Sequence, residues 1–229
     1  RVVFTKEESP ACKTQKGLTE ETILVISDDK DEPEWMLERR LRGLKQFQQM
    51  PMPTDWPGQP DLSEVDIADI VPYIRPDIET RGGAEEWDDL PEEIRDTFDK
   101  LGIPEAERNA LSGVGAQYES EIVYQNMQEQ WEEKGVIFCD MDKAVQEHEE
   151  LVKEYFMTKN VPASDNKFAA LHGAIWSGGS FVYVPEDTTV EMPIQAYFRM
   201  NSEGMGQFEH TLIIAEEGSE VHYIEGCSA

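Results

Sequence analysis

Positive charge is scarce in this 229-residue chain: 20 Lys and Arg stand against 48 Asp and Glu, a formal charge of -28. Such a surface repels phosphodiester backbones and anionic headgroups, and no basic patch interrupts it, which argues against nucleic acid and membrane as partners. Cysteine is scarcer still. Cys12, Cys139 and Cys227 are an odd number at wide spacing, matching neither a disulfide framework nor a CxxC metal knuckle, and they point to a reducing compartment. No stretch approaches the ~18 apolar residues of a membrane span, and the opening "RVVFTKEESPACKT" has no apolar core of an export leader, so the chain reads as cytoplasmic. Gly-rich phosphate loops, HExxH and GxSxG are also missing.

The acidic residues are spread along the chain and aromatic content is ordinary at 9%. That combination describes a folded protein with an acidic skin, for which a high-salt cytoplasm is the simplest cause. Position 1 is Arg and position 229 follows strand-like sequence directly, so both ends read as cut from something longer.

Two regimes follow one another along the sequence. Residues 1–165 read as a mainly helical domain. Its first helix-forming stretch is "DEPEWMLERRLRGLKQFQQM", with Leu37, Leu41 and Leu44 at helical spacing after Pro33. Residues 51–87, rich in proline and carrying a Gly-Gly pair, read as an irregular connection. "LPEEIRDTFDKLGIPEAERNAL" and "YESEIVYQNMQEQWEEKG" read as helices stopped at Gly102 and Gly135. Another helix is expected through "DMDKAVQEHEELVKEYFMTK", with Val145, His148, Val152 and Tyr155 on one stripe and His148 as a packing residue.

From residue 166 to 229 the period shifts toward strands. An offset of 31 residues lays Phe181 over Leu212, Val182 over Ile213 and Val190 over Val221. Recurring strand–turn–strand units of that length are what stacked coils of a β-solenoid produce.

Three sets of side chains carry candidate chemistry. Cys227 follows Gly226 at a strand end, where a thiol is accessible. By strand parity it shares a face with Val221 and Tyr223, which favours an inert packing thiol instead. Arg199 and Asn201 lie two apart on one side of a strand; Arg199 is the sole basic residue after Lys167 and could hold an anionic sulfur species. Glu209, His210 and His222 on adjacent strands offer a competing metal constellation of the kind a cupin-like enzyme uses, although the tight H-x-H pair is missing. Cys139 reads as a buried residue before a helix start, and Cys12 has no assigned role.

The stretches "GLTEETILVISDDKDEPEWMLERRL", "LGIPEAERNALSGVGAQYESEIVYQ", "GVIFCDMDKAVQEHEELVKEYF", "NKFAALHGAIWSGGSFVYVP" and "AYFRMNSEGMGQFEHTLIIAEEGSEVHYIEGCSA" together resemble the SufB scaffold family of iron–sulfur cluster assembly. The likeness runs from about residue 17 to the end and covers the N-terminal half of such a protein. It implies an α+β fold: a helical N-terminal domain leading into the first coils of a right-handed parallel β-helix, truncated. It also implies a scaffold rather than an enzyme, paired with a SufD-like paralogue and a SufC-like ATPase and supplied by a cysteine desulfurase or sulfur carrier. By position, Cys227 matches the family's sulfur acceptor, and Arg199 and Asn201 match polar residues on the sulfur route. A transient iron–sulfur cluster is expected on the full-length complex, with its ligands outside this chain. The resemblance leaves room for a flavin, and no cofactor or metal is expected to stay bound to this piece.

Overall fold

A computed structural model describes residues 10–53, 62, 65–77, 87–90, 92, 95, 96, 111–200 and 202–228. The helices form one layer. Helix α1, Glu20–Asp29, starts where the Thr19 hydroxyl accepts from the Thr22 amide at 3.1 Å, with Glu20 and Glu21 in the positive first turn. It buries Ile23 and Ile26. Helix α2, Glu34–Gln49, follows Pro33 and turns Leu44 fully inward, with Leu37 and Leu41 packed at the edge of the same cluster. The leucine spacing is therefore expressed as expected.

Later in the chain come α3 (Glu129–Glu132), α4 (Met141–Glu147), α5 (Glu149–Tyr155) and α6 (Lys167–Ile175). Helix α6 lies against α2. At their crossing a Cβ on Gly43 would stand 2.9 Å from the Ala174 amide nitrogen, so only glycine allows this approach. Arg40, fully buried on α2, holds both oxygens of Glu32 at 2.7 and 2.5 Å and donates to the carbonyls of Ala174 and Trp176 at the end of α6. A guanidinium there satisfies carbonyls that the helix leaves unpaired.

The strands form three sheets. A two-residue pair joins β1 (Cys12–Lys13) to β2 (Ile74–Arg75), antiparallel. The largest sheet has the order β4-β3-β7-β9, from β3 (Gly113–Tyr118), β4 (Glu121–Met127), β7 (Ile194–Arg199) and β9 (Tyr223–Ser228). The third has the order β5-β6-β8, from β5 (Ile137–Asp140), β6 (Ser180–Val184) and β8 (Leu212–Ala215). Trp131, Phe138, Val182, Val184, Val190 and Ile194 fill one core between the two larger sheets. Met36, Val145, Val152, Phe156, Trp176 and Phe181 fill another between helices and the three-stranded sheet.

This architecture corrects the expected parallel β-helix. The described residues form a mixed α/β assembly of small sheets, and no solenoid is present. Each larger sheet begins on an antiparallel pair, β3 with β4 and β5 with β6, and only then adds parallel strands. The 31-residue offset is nevertheless real at the level of pairing: β6 and β8 run parallel with Phe181 opposite Leu212 and Val182 opposite Ile213, and Thr189 bridges Glu220. The offset falls to 29 between β7 and β9, where Ile194 faces Tyr223. A shared spacing between two strands reports a local register; it does not by itself build a coil.

Three local expectations also change. "YESEIVYQNMQEQWEEKG" is not one helix: it spans the β3–β4 hairpin and the single turn α3, because Ile122, Val123 and Tyr124 form a consecutive buried run suited to a strand. Gly135 still ends α3, at φ +81°. The helix expected through residues 140–159 forms only over Met141–Glu147 and Glu149–Tyr155, divided at His148, whose ring stacks 5.7 Å from Phe181 as a packing residue. Helix α6 lies beyond the point where helical sequence was expected to end, because it is buried nearly all round and shows no amphipathic stripe. The helix expected over residues 90–111 lies largely outside the described residues.

Candidate functional site

Strand parity builds the site. Along β9, Tyr223, Glu225 and Cys227 fall on one face, and parallel pairing sets them beside Ile194, Ala196 and Phe198 of β7. That face turns toward the segment before β8. The Tyr223 hydroxyl lies 2.9 Å from Ser180 Oγ and 3.1 Å from Glu225 Oε2, and Thr211 Oγ1 donates to the same carboxylate oxygen at 2.9 Å. Cys227, exposed and free of any disulfide, directs its thiol at Glu209 Oε1, 3.9 Å away.

Glu209, Glu225 and Cys227 thus gather one sulfur and two carboxylates, with donor atoms all within 4.8 Å of one another. Three donors this close together have the spacing to hold a metal ion. The electrostatics of the group are one-sided. Partial burial and then the charges of Glu209 and Glu225 push the thiol pKa up, while burial and the Glu225 charge push Glu209 up. The thiol is therefore held protonated in this setting.

Arg199 occupies the other face. It pairs with Ser228, one residue beyond Cys227, so the guanidinium and the thiol point to opposite sides of the sheet. Arg199 is 7% exposed, and its carbonyl accepts from the Glu119 amide at 2.9 Å. The groups set beside the thiol are the carboxylates of Glu209 and Glu225. Asn201 lies outside the described residues.

The competing histidine set is not brought together. His210 turns from Glu209 into the helical layer, where its Nδ1 lies 2.8 Å from His172 Nε2 and its ring 4.1 Å from that of Phe156. Burial holds both rings neutral, His172 pushed down to about 4 and His210 to about 3. His222 is exposed beside Glu220 at 3.6 Å. Cys139 is buried on β5, where burial raises its pKa far above the usual thiol range, as an inert packing residue requires. Cys12 pairs across β1–β2 with Arg75 and packs against the α1–α2–α6 cluster.

Sequence reasoning missed Glu225 as a neighbour of the thiol. The signal was the i, i+2 spacing in "EGC", which strand parity converts into a shared face. Glu209 was identified only for a histidine site it does not join.

No helix among the described residues is long and apolar enough to cross a membrane. Residues 93–196 match the SufBD protein N-terminal region. An iron-sulfur cluster assembly SufBD family protein of Staphylococcus saprophyticus is 57% identical over 226 residues, which is 99% of this chain and 47% of the relative. SufBD family proteins of Staphylococcus aureus strains MRSA252 and USA300 give the same identity and the same shares. The chain spans about half the length of the curated relatives it matches. Over nearly its whole length, then, it is a homologue of iron-sulfur cluster assembly SufBD family proteins, with a SufBD N-terminal region at residues 93–196.

Proposed function

We propose that this chain serves iron–sulfur cluster assembly as the sulfur-receiving part of a SufB-type scaffold, with Cys227 as the acceptor. The observation that carries the reading is the setting of Cys227: a free, exposed thiol on β9 beside Glu209, in a chain 57% identical to proteins of that assembly family.

The chemistry is a thiol exchange at sulfur. The Cys227 proton passes to Glu209, whose raised pKa makes it a stronger base than a solvated carboxylate. The thiolate attacks the terminal sulfur of a donor persulfide. An S–S bond forms at Cys227 as the donor's S–S bond breaks, and the donor cysteine leaves as thiolate with no net change in oxidation state. Glu225, fixed by Thr211, keeps the thiol protonated between transfers and so guards it from adventitious alkylation or oxidation.

The donor in this reading is a cysteine desulfurase or its sulfur carrier. A SufD-like paralogue and a SufC-like ATPase complete the scaffold, in the cytoplasm. Arg199 and Asn201 enter through the resemblance; Arg199 would serve the route from the far face of the sheet. The test is sulfur loading of the assembled protein by a desulfurase, read by intact mass. Cys227→Ser should abolish the adduct of one sulfur atom on this chain. Full loading of the variant would refute the assignment.

A further inference from the structure

A second polar site lies away from Cys227, where α1, β4 and the β5–α4 junction meet. Asp29, Lys30, Glu121, Asp140, Asp142 and Gln146 line a cavity of about 260 Å³, with exposed Asp31 and Lys143 of opposite sign at its rim. Asp29 is engaged: Arg75 Nε and Nη2 donate to its two oxygens at 2.8 Å each, and the Tyr73 hydroxyl lies 2.7 Å from one of them. The Lys30 ammonium, on a side chain only 2% exposed, pairs with Asp142 Oδ2 and stands 3.7 Å from Glu121 Oε1. Two carboxylate oxygens are left over. Asp140 is 4% exposed, and its Oδ1 meets no hydrogen-bond donor; nor does Oδ1 of Asp142.

Charge sharpens the point. Fully ionised, Asp29, Glu121, Asp140 and Asp142 would face one ammonium and one guanidinium, an excess of two negative charges in a half-open pocket whose burial pushes the Asp140 and Asp142 carboxyls up. Uncompensated buried charge is among the costliest arrangements a fold can hold. One divalent cation balances it.

We propose that this cavity binds a single hydrated divalent cation of the magnesium or manganese class, with Asp140 and Asp142 as its protein ligands and Glu121 in the outer shell. Donor chemistry selects the class, since the side chains lining the space offer only oxygen donors, carboxylates and the Gln146 carboxamide, with no sulfur or imidazole. The number of ligands selects further. Small hard cations bind through one or two carboxylates and keep several waters, whereas calcium seeks six to eight oxygens. At about 30 Å³ per water, the cavity has room for the ion's retained hydration shell. Lys30 takes one oxygen of Asp142 and leaves the other to the ion.

The experiment is a titration of the 229-residue chain with Mn²⁺, followed by electron paramagnetic resonance, with Mg²⁺ as competitor. One tight site displaced by Mg²⁺ is expected above weak binding to the acidic surface. Asp140→Asn should weaken it at least tenfold, while Glu186→Gln at an exposed carboxylate leaves it unchanged. Asp142→Asn serves as the second variant should Asp140→Asn fail to fold. Only weak surface binding in the parent chain, or equal binding by the folded aspartate variants, would overturn the proposal.

Discussion

Replacing Glu225 by Gln should make Cys227 more reactive. The carboxylate raises the pKa of the thiol, and each unit of pKa above ambient pH removes about tenfold of the thiolate. Alkylation by iodoacetamide near neutral pH should therefore quicken, roughly threefold or more, in Glu225→Gln; an unchanged rate would show that the carboxylate does not bear on the thiol. The histidine pair gives a pH dependence of known sign. His172 and His210 are held at about 4 and about 3 in the folded chain, below the ~6.5 of a free imidazole. Between those limits the unfolded state binds protons that the folded state refuses, so stability falls as pH drops from about 6.5 toward 4. The loss for the pair is on the order of a few kcal/mol. His210→Gln should flatten that slope in denaturant melts, and a slope identical to the parent's would contradict this account.

Among the elements, the α2–α6 contact is where one side chain matters most. Removing the Arg40 guanidinium leaves Glu32, with a side chain 3% exposed, buried and unpaired, and two carbonyls without their donor. Arg40→Ala should cost about 3–5 kcal/mol in chemical denaturation. The double change Arg40→Met with Glu32→Met should recover most of it, since no charge is then stranded. The same elements show what sequence could and could not reveal. The leucines of α2 and the 31-residue register of β6 with β8 were legible because one-sided burial writes a period into the residues. Strand β4 was misread because its flanks are polar and helix-friendly while its three central residues are buried together. Helix α6 was invisible because burial on every side erases the stripe. At the site, the resemblance singles out Cys227, but the carboxylate neighbours of its thiol depend on how β9 faces the segment before β8. The separation of Arg199 from that thiol likewise depends on register, which composition does not carry.

For the whole molecule, a formal charge of -28 sets the terms of stability. Isolated surface ion pairs contribute little, so diffuse repulsion between carboxylates dominates the long-range electrostatics. The screening length shortens from ~10 Å at 0.1 M salt to ~3 Å at 1 M. The melting temperature should rise accordingly as KCl increases from low concentration to 1 M; a flat or falling curve would remove screening as a stabilising influence. The step from two paired strands to a solenoid failed at this scale, because architecture depends on how sheets close around cores.

Arg40 has one more consequence. Its guanidinium stitches the turn before α2 to the end of α6, and through Trp176 that anchor extends to the aromatic cluster behind β6. Peeling the helical layer from the strands would strand an ion in apolar surroundings, so partial opening there has no cheap intermediate. The amide protons of α2 and α6, which this anchor ties together, should therefore exchange as one cooperative unit.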